Sequence, residues 1–386
     1  MNTPLNISEF IKLAEGLPVI DVRSPAEFEH GHIPGAHTVP LFDNEERAKI
    51  GTAYKQIGRE EAIRIGYELA NPKINFFRNQ IEKIVHNKPS NNRIPIAIGK
   101  HLNNEPKTGN QKQETVLIHC WRGGLRSTKF AALLNEYGYK THTLLRGYKA
   151  YRNFVLKSFG PDSNQEAPVF IIGGETGSGK TEILRKIAER GEQIIDLEAI
   201  AHHKGSAFGS LGEKPQPTQE QFENDLASHW NRLDFSKRIW LEDEAQSIGK
   251  KLLPKELWNK MKQAPILRLK VSKSDRIGRL VTDYGKFSSQ ELAACIEKIQ
   301  QRLGGQHVKR ALEELQKGNL HEVVDIALTY YDKAYNYDHE KRNMKDVFLI
   351  ECETADASAN ADKLIEFANT SLQTAKNEAG SNLTAI

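Results

Sequence analysis

The sequence predicts an α/β protein with two parallel-sheet domains and a mainly helical C-terminal part. Short apolar strands alternate with helical patterns along most of the chain, which is typical of parallel sheets. Two Gly-rich segments each follow a buried strand and precede a helix, and from residue 272 onward the pattern is mainly helical. The 386 residues are enough for two or three domains, each with its own core.

The first domain is predicted over residues 8–157. Its expected strands are 17–22, 115–119 and 141–145, each a short apolar run. Helical spacing of apolar residues predicts helices within 45–85 and over 126–137. The polar stretch 86–114 between them contains several prolines and is expected to be an exposed insert.

The second domain is predicted over residues 167–271, after a linker at 158–166. Its expected strands are 168–173, 193–197, 238–242 and 266–271, with a helix over 182–189 after the first. Residues 272–371 are predicted to be mainly helical, and 372–386 to be a disordered tail.

The composition is typical of an ordinary soluble protein, with 38% hydrophobic and 27% charged residues. No apolar run is long enough for a membrane span, and the N-terminus lacks the pattern of a secretory signal, so no membrane partner is expected. Three widely spaced cysteines do not make a disulfide framework, which favours a reducing cytoplasm. The net charge of +4 is only a weak sign of a polyanionic partner.

The first Gly-rich segment, residues 120–127, carries a cysteine at the end of a strand. Backbone N–H groups and the following helix N-terminus point toward Cys120, while Arg122 and Arg126 add positive charge. These effects favour the thiolate and predict a nucleophilic Cys120. Gly123 and Gly124 allow the tight loop that turns the N–H groups inward.

The second Gly-rich segment, residues 174–181, matches the Walker A phosphate-binding pattern in its expected strand–helix context. The predicted diphosphate-binding residues are Gly174, Gly177, Ser178, Gly179, Lys180 and Thr181. Thr181 and Asp243, which follows a strand, are the predicted Mg²⁺ ligands. The motif itself does not distinguish ATP or GTP from a prenyl diphosphate.

A polar, Gly-rich stretch at 196–209 is the second diagnostic region of this domain. Its candidate substrate or Mg²⁺ groups are Asp196, Glu198, His202, His203, Lys204 and Ser206. A further stretch at 216–224 is expected to line the same cleft.

Residues 21–40 closely resemble the signature of the rhodanese family, and Cys120 occupies the position of the rhodanese active-site cysteine. This resemblance implies a persulfide or perselenide carrier. The loop has five residues between Cys120 and Arg126, one more than in common sulfurtransferases. It is similar in length to loops of related phosphatases and arsenate reductases, so it can hold a larger oxyanion such as a phosphate-bearing donor.

The combination of these loops with the motifs at 196–209 and 216–224 resembles the bacterial tRNA 2-selenouridine synthase family from about residue 8 to 370. One departure is Lys204, where the family pattern has Arg; the charge is kept, but bidentate phosphate recognition is expected to be weaker. The resemblance implies that 2-thiouridine at the wobble position of tRNAs for Lys, Glu and Gln is S-geranylated from geranyl diphosphate. Selenium from selenophosphate then displaces the geranylthio group.

The same resemblance implies that Cys120 carries selenium as an S-selanylcysteine and that the Walker A loop holds geranyl diphosphate with Mg²⁺. Geranyl diphosphate and selenophosphate are then co-substrates, with no tightly bound organic cofactor, and selenophosphate synthetase is a candidate partner. Three alternatives remain open: an ATP-dependent sulfurtransferase or kinase fused to a rhodanese module, a non-catalytic nucleotide-gated sulfur carrier, and a phosphatase.

Overall fold

The computed structural model describes residues 4–86, 113–160, 168–340, 347–354 and 356–381. They form two compact units, which we describe separately. The first contains 4–86, 113–160 and 218–228, and the second contains the remaining described residues. The predicted insert at 86–114 lies almost wholly outside the described residues, as does most of the predicted linker at 158–166.

The first unit has a four-stranded, fully parallel sheet in the order β2-β1-β3-β4. Its strands are β1 (Val19–Asp21), β2 (His37–Thr38), β3 (Thr115–His119) and β4 (Lys140–Thr143). Its helices are α1 (Ile7–Ala14), α2 (Pro25–His30), α3 (Asn44–Gln56), α4 (Arg59–Ala70), α5 (Ile74–His86), α6 (Leu125–Glu136) and α7 (Gly147–Lys157). The predicted helical stretch 45–85 is therefore three helices, which are separated at Gly58 and by a 3-10 turn at Asn71–Lys73.

Apolar side chains on both faces of this sheet explain why its strands are buried. Ile20 and Ile118 pack with Phe77 and Ile81 of α5 and Phe130 of α6 in one core cluster. In the register, Asp21 of β1 lies beside His119, the last residue of β3. Because the strands are parallel, the carboxyl ends of β1 and β3 lie side by side, directly before Cys120.

The second unit has a five-stranded, fully parallel sheet in the order β11-β10-β5-β7-β6. Its strands are β5 (Val169–Gly174), β6 (Gln193–Ile195), β7 (Ile239–Glu242), β10 (Ile266–Lys270) and β11 (Val347–Glu351), and a separate hairpin joins β8 (Ser247–Ile248) to β9 (Lys251–Leu252). The first helices along the chain are α8 (Lys180–Glu189), α9 (Leu197–Ala201) and α11 (Lys255–Gln263), while α10 (Gln219–Trp230) belongs to the first unit through residue 228. Together the two units confirm the predicted fold class.

The C-terminal part is largely helical, as predicted. Its helices are α12 (Lys273–Tyr284), α13 (Ser289–Lys298), α14 (Gln300–Leu303), α15 (Gly305–Gln316), α16 (Leu320–Glu340) and α17 (Ala357–Ser381). The strand β11 lies inside the region predicted to be helical and pairs with β10 at the sheet edge. The helix α17 continues through 372–381, for which a disordered tail was expected; Ala375, Lys376 and Glu378 are residues that favour helix.

Candidate functional sites

Cys120 follows β3 directly, and the loop after it leads into α6 at Leu125. The thiol side chain is 3% exposed. Gly123 has φ +64°, and a Cβ atom there would lie 2.6 Å from the carbonyl oxygen of Leu144. A side chain at this position would therefore push the loop away from the strand end, which explains the glycine.

Ser127, in the first turn of α6, is the nearest polar partner of the thiol. Its Oγ lies 3.2 Å from Cys120 Sγ and donates to the carbonyl oxygen of Gly124 at 3.1 Å. Ser127 is fully buried, so this hydroxyl is held in place. Ser127 is not among the residues predicted from the sequence, although its position directly after Arg126 was a usable signal.

Arg126 of the loop is paired with Glu27 of α2. The guanidinium donates to the carboxylate at 2.7 and 3.3 Å. Burial alone would lower the pKa of Arg126 and raise that of Glu27, but the pairing outweighs burial and shifts each in the opposite direction. Arg122, in contrast, is exposed. An anion entering the loop would therefore compete with Glu27 for Arg126.

A buried ion pair lies at the strand ends behind the thiol. Arg23 and Asp21 are both fully buried, and the guanidinium donates to the carboxylate at 2.6–3.0 Å. Burial would raise the pKa of Asp21, but His119 and Arg23 outweigh it and hold that pKa below its ordinary value. Burial also lowers the pKa of His119 to about 4, so this imidazole is neutral at pH 7.

The stretch expected to line the second cleft instead packs in the first unit from Thr218 onward. The Tyr148 hydroxyl donates to Glu220 at 2.9 Å and accepts from Asn224 at 2.8 Å, while Arg152 donates to both Glu223 and Asn224 at 2.5 Å. These polar contacts use the Glu and Asn side chains that made the stretch distinctive. Gln216, just before it, donates to two backbone carbonyls, of Ala201 and Ile248, in the second unit.

The Walker A loop connects β5 to α8 in the second unit. Gly177 and Gly179 have φ of +84° and +82°, which explains their identity. Lys180 Nζ donates to the carbonyl oxygen of Gly174 at 2.8 Å, across the loop. The Ser178 hydroxyl is buried without a hydrogen-bond partner among the described residues. The predicted diphosphate-binding residues are thus brought together.

Three carboxylates meet beside Thr181. The Thr181 hydroxyl lies 3.0 Å from a carboxylate oxygen of Glu198, in α9, and 3.0 Å from one of Glu242, at the end of β7. Oxygen atoms of Glu198, Glu242 and Glu244 all lie within 4.8 Å of one another. Burial raises the pKa of each, that of Glu244 to about 8, and the charge of Glu198 further raises the pKa of Glu242 and Glu244.

This cluster does not contain Asp243, the predicted Mg²⁺ ligand, because side chains alternate in direction along an extended chain. The acidic residues on either side of it, Glu242 and Glu244, take that place. Asp196 is also outside the cluster: it caps α9 by accepting from the Ala199 N–H at 2.8 Å and pairs with Arg185 at 3.1 Å.

The candidate residues at 202–206 form a compact loop. His202 has φ +51°, and its Nδ1 lies 3.0 Å from the carbonyl oxygen of Pro215. The half-buried His203 has its pKa lowered by burial. Lys204 is exposed and pairs with Glu213 at 3.3 Å, and the Ser206 hydroxyl accepts from the Phe208 N–H at 3.2 Å.

Comparison with known proteins covers both units. Residues 6–154 match the model of the rhodanese-like domain, and residues 167–363 match that of the tRNA 2-selenouridine synthase AAA domain. The chain is 32% identical over 369 residues to a tRNA 2-selenouridine synthase of Shewanella sediminis, covering 87% of this chain and 91% of that protein. The chain belongs to the tRNA 2-selenouridine synthase family. A relative of the same name from Bordetella petrii is also 32% identical, over 86% of this chain and 89% of its own length.

Both candidate sites fall within the parts of the chain that match the family. The rhodanese-like match contains Cys120, Ser127 and Arg126, and the AAA match contains the Walker A loop and the three carboxylates. Within the described part of the chain, no helix has the length and apolar character to cross a membrane.

Proposed function

We propose that this protein converts 2-thiouridine to 2-selenouridine at the wobble position of tRNAs for Lys, Glu and Gln. In the first step the 2-thio sulfur attacks the first carbon of geranyl diphosphate: a C–S bond forms, the C–O bond breaks, and diphosphate leaves. In the second step a selenium nucleophile derived from selenophosphate attacks C2 of the base, and geranylthiol leaves. The pairing of a buried thiol loop with a diphosphate-binding loop in a chain of this family is the observation that supports the proposal.

The Walker A loop serves the first step in this proposal. Lys180, which donates to the Gly174 carbonyl, turns to the diphosphate, whose charge increases as the C–O bond breaks. The backbone N–H groups of the loop and the N-terminus of α8 add further stabilisation. The loop would thus accelerate departure of the diphosphate.

Mg²⁺ fits the carboxylate cluster beside this loop. Glu242 is 1% exposed, and its Oε1 has no hydrogen-bond partner among the described residues. Burial raises the pKa of all three carboxylates although Lys180 lies close enough to lower them, and carboxylate oxygens suit Mg²⁺. Thr181, Glu198, Glu242 and Glu244 are the residues that would hold it, in place of the predicted Asp243. When bound, the cation supplies charge neutralisation to the diphosphate.

Cys120 serves the second step. It is held at the helix N-terminus next to Ser127, with Arg126 at the other end of the loop. In our proposal selenophosphate binds with its phosphate at Arg126 and the loop N–H groups, and the Cys120 thiolate directs its selenium to C2 of the geranylated base. The C2–Se bond forms, geranylthiol leaves, and water cleaves the Se–P bond to release phosphate.

Replacement of Cys120 by Ala tests the division of the two steps. We expect the purified variant to form geranylated tRNA from 2-thiouridine tRNA and geranyl diphosphate at the wild-type rate. It should form no 2-selenouridine when selenophosphate is added, as measured by nucleoside mass spectrometry. Cys352→Ala, at a half-buried thiol in the second unit, is the matched control and should complete both steps.

Two outcomes would count against this function. Formation of 2-selenouridine by the Cys120→Ala variant would show that the thiol has no part in the selenium transfer. Rapid ATP hydrolysis by the wild-type protein, together with no transfer from geranyl diphosphate, would instead favour the ATP-dependent sulfurtransferase or kinase.

A further inference from the structure

A narrow apolar cavity lies beside the Walker A loop within the second unit. Its cavity volume is about 30 Å³, within about 440 Å³ of non-atom space that includes open solvent. Helices α12, α13 and α16 supply most of the walls. The lining residues are Thr176, Ser206, Phe208, Leu280, Tyr284, Leu292, Leu320, Val323, Val324, Ala327, Leu328 and Tyr331.

Hydroxyl groups are the only polar side-chain groups among these residues of the described chain. The Tyr331 hydroxyl accepts from the Ala207 N–H at 3.1 Å, close to Ser206. Burial raises the pKa of both Tyr284 and Tyr331 to about 12, so both remain neutral at pH 7. A nucleoside placed here would lose hydrogen bonds to water without replacing them, whereas a hydrocarbon would lose none.

The cavity and the phosphate-binding loop share a wall. Thr176 of the loop lines the cavity, and a Cβ atom on Gly177 would lie 3.0 Å from Leu280 Cδ1. Arg276, one turn before Leu280 on α12, pairs with Glu175 at 3.3 Å and donates to the Thr176 carbonyl oxygen at 3.2 Å. A ligand with its phosphates in the loop thus has the cavity directly beside it.

The helix α16 gives the cavity a direction. Near its C-terminal end the Tyr335 hydroxyl accepts from the Gly174 N–H of the loop at 2.7 Å, and Tyr331 follows one turn away. Ala327, Val324 and Leu320 lie successively farther along the helix. At the rise of an α-helix, Tyr331 to Leu320 spans about 16 Å, so the cavity runs away from the phosphates.

We propose that this cavity binds the hydrocarbon chain of the prenyl diphosphate and limits its length. The inference rests on the proposed function and adds to it the location of the prenyl chain and the residues that select it. Ala327 lines the middle of the channel, and Leu320 lies at its far end.

Binding of geranyl diphosphate and of inorganic pyrophosphate to the full chain, measured by calorimetry, tests the assignment. The wild type should bind geranyl diphosphate at least about tenfold more tightly than pyrophosphate, because binding removes the geranyl hydrocarbon chain from water. Ala327→Leu should remove about tenfold or more of that preference while pyrophosphate binds as before. Leu320→Ala should instead increase binding of farnesyl diphosphate relative to geranyl diphosphate.

Ala311→Leu is the matched control, since Ala311 is a buried alanine of α15 in the same helical region that does not line the cavity. It should keep the wild-type preference. If all three variants kept the wild-type preference, the hydrocarbon chain would bind elsewhere and the inference would be overturned. Geranyl transfer by the wild type would still support the proposed function in that case. A wild type that neither prefers geranyl diphosphate to pyrophosphate nor transfers the geranyl group would overturn both.

Discussion

The two loops both suit anions, but they differ in how their own charges are balanced. In the Cys120 loop, Arg126 is already paired with Glu27, and behind it Arg23 is paired with Asp21. Beside the Walker A loop, three carboxylates lie close together, and one buried oxygen of Glu242 has no hydrogen-bond partner in the described part of the chain. The charges of Arg126 and Arg23 are therefore balanced by the protein's own carboxylates, whereas the three carboxylates of the second unit have an excess of negative charge.

This difference predicts opposite responses to pH. In the first unit burial keeps His119 neutral, so the free energy of unfolding decreases as the pH falls. In the second unit burial disfavours ionisation of the carboxylates, so the free energy of unfolding decreases as the pH rises unless a cation binds. The first unit is therefore expected to lose stability as the pH falls, and the second to lose stability as the pH rises.

Replacement of Lys180 by Ala is expected to have the largest effect, and to affect only one loop. Geranyl transfer should fall about 100- to 1000-fold, because the departing diphosphate loses a positive charge in a partly buried site. Selenation of tRNA that already carries the geranyl group should continue. Rates of the two steps, measured separately on the two tRNA substrates, check this.

Lys186→Ala is the control, since Lys186 lies on the same helix and pairs with Glu189 at 2.9 Å. It should leave both rates unchanged. Equal loss of both steps in Lys180→Ala would mean that the loops do not act separately.

The carboxylate cluster predicts a smaller effect on metal binding. Glu242→Gln should weaken Mg²⁺ binding about tenfold or more, because a neutral amide replaces a buried ligand. Asp243→Asn should leave binding nearly unchanged. In the wild type, affinity should rise from about pH 6 to pH 8, because protons compete for carboxylates whose pKa values are raised, that of Glu244 to about 8.

Calorimetric titration of the three proteins with MgCl₂ measures this. If Asp243→Asn bound Mg²⁺ more weakly and Glu242→Gln bound it as the wild type does, Asp243 would be the ligand, as the sequence predicted.

The sequence predicted the loops well because their chemistry is local. A cysteine or lysine at a strand–helix junction, with glycines around it, places its own backbone N–H groups. Groups that reach the sites from elsewhere were harder to predict: Glu27 meets Arg126 across 99 positions. Its own local role, accepting from the Ser24 N–H at 3.0 Å, gave no sign of that contact.

The candidate metal ligands show the same limit for residues that are neighbours in the sequence. A run of three acidic residues, 242–244, marks the end of a strand, but the sequence does not reveal which side chains face Thr181. The register of β7 against β5 decides that, and it turns Glu242 toward the loop. Likewise, the segment at 218–228 carries its distinctive polar residues into the first unit, which depends on tertiary contacts alone.

His119 provides the smallest predicted effect and a direct test of the pH contrast. The folded imidazole stays neutral down to about pH 4, whereas an ordinary histidine protonates near 6.5. The unfolded chain therefore binds the extra proton, and stability of the first unit falls as pH drops from 6.5 toward 4, by about 3 kcal/mol at most. His119→Leu should remove most of that loss and leave the second unit unaffected.

Amide hydrogen exchange of β3 and β5, corrected for intrinsic rates, measures the stability of both units. His86→Gln, at an exposed histidine, is the control. If exchange of β3 in His119→Leu responded to acid as in the wild type, the buried imidazole would not be the group that makes the first unit acid-sensitive.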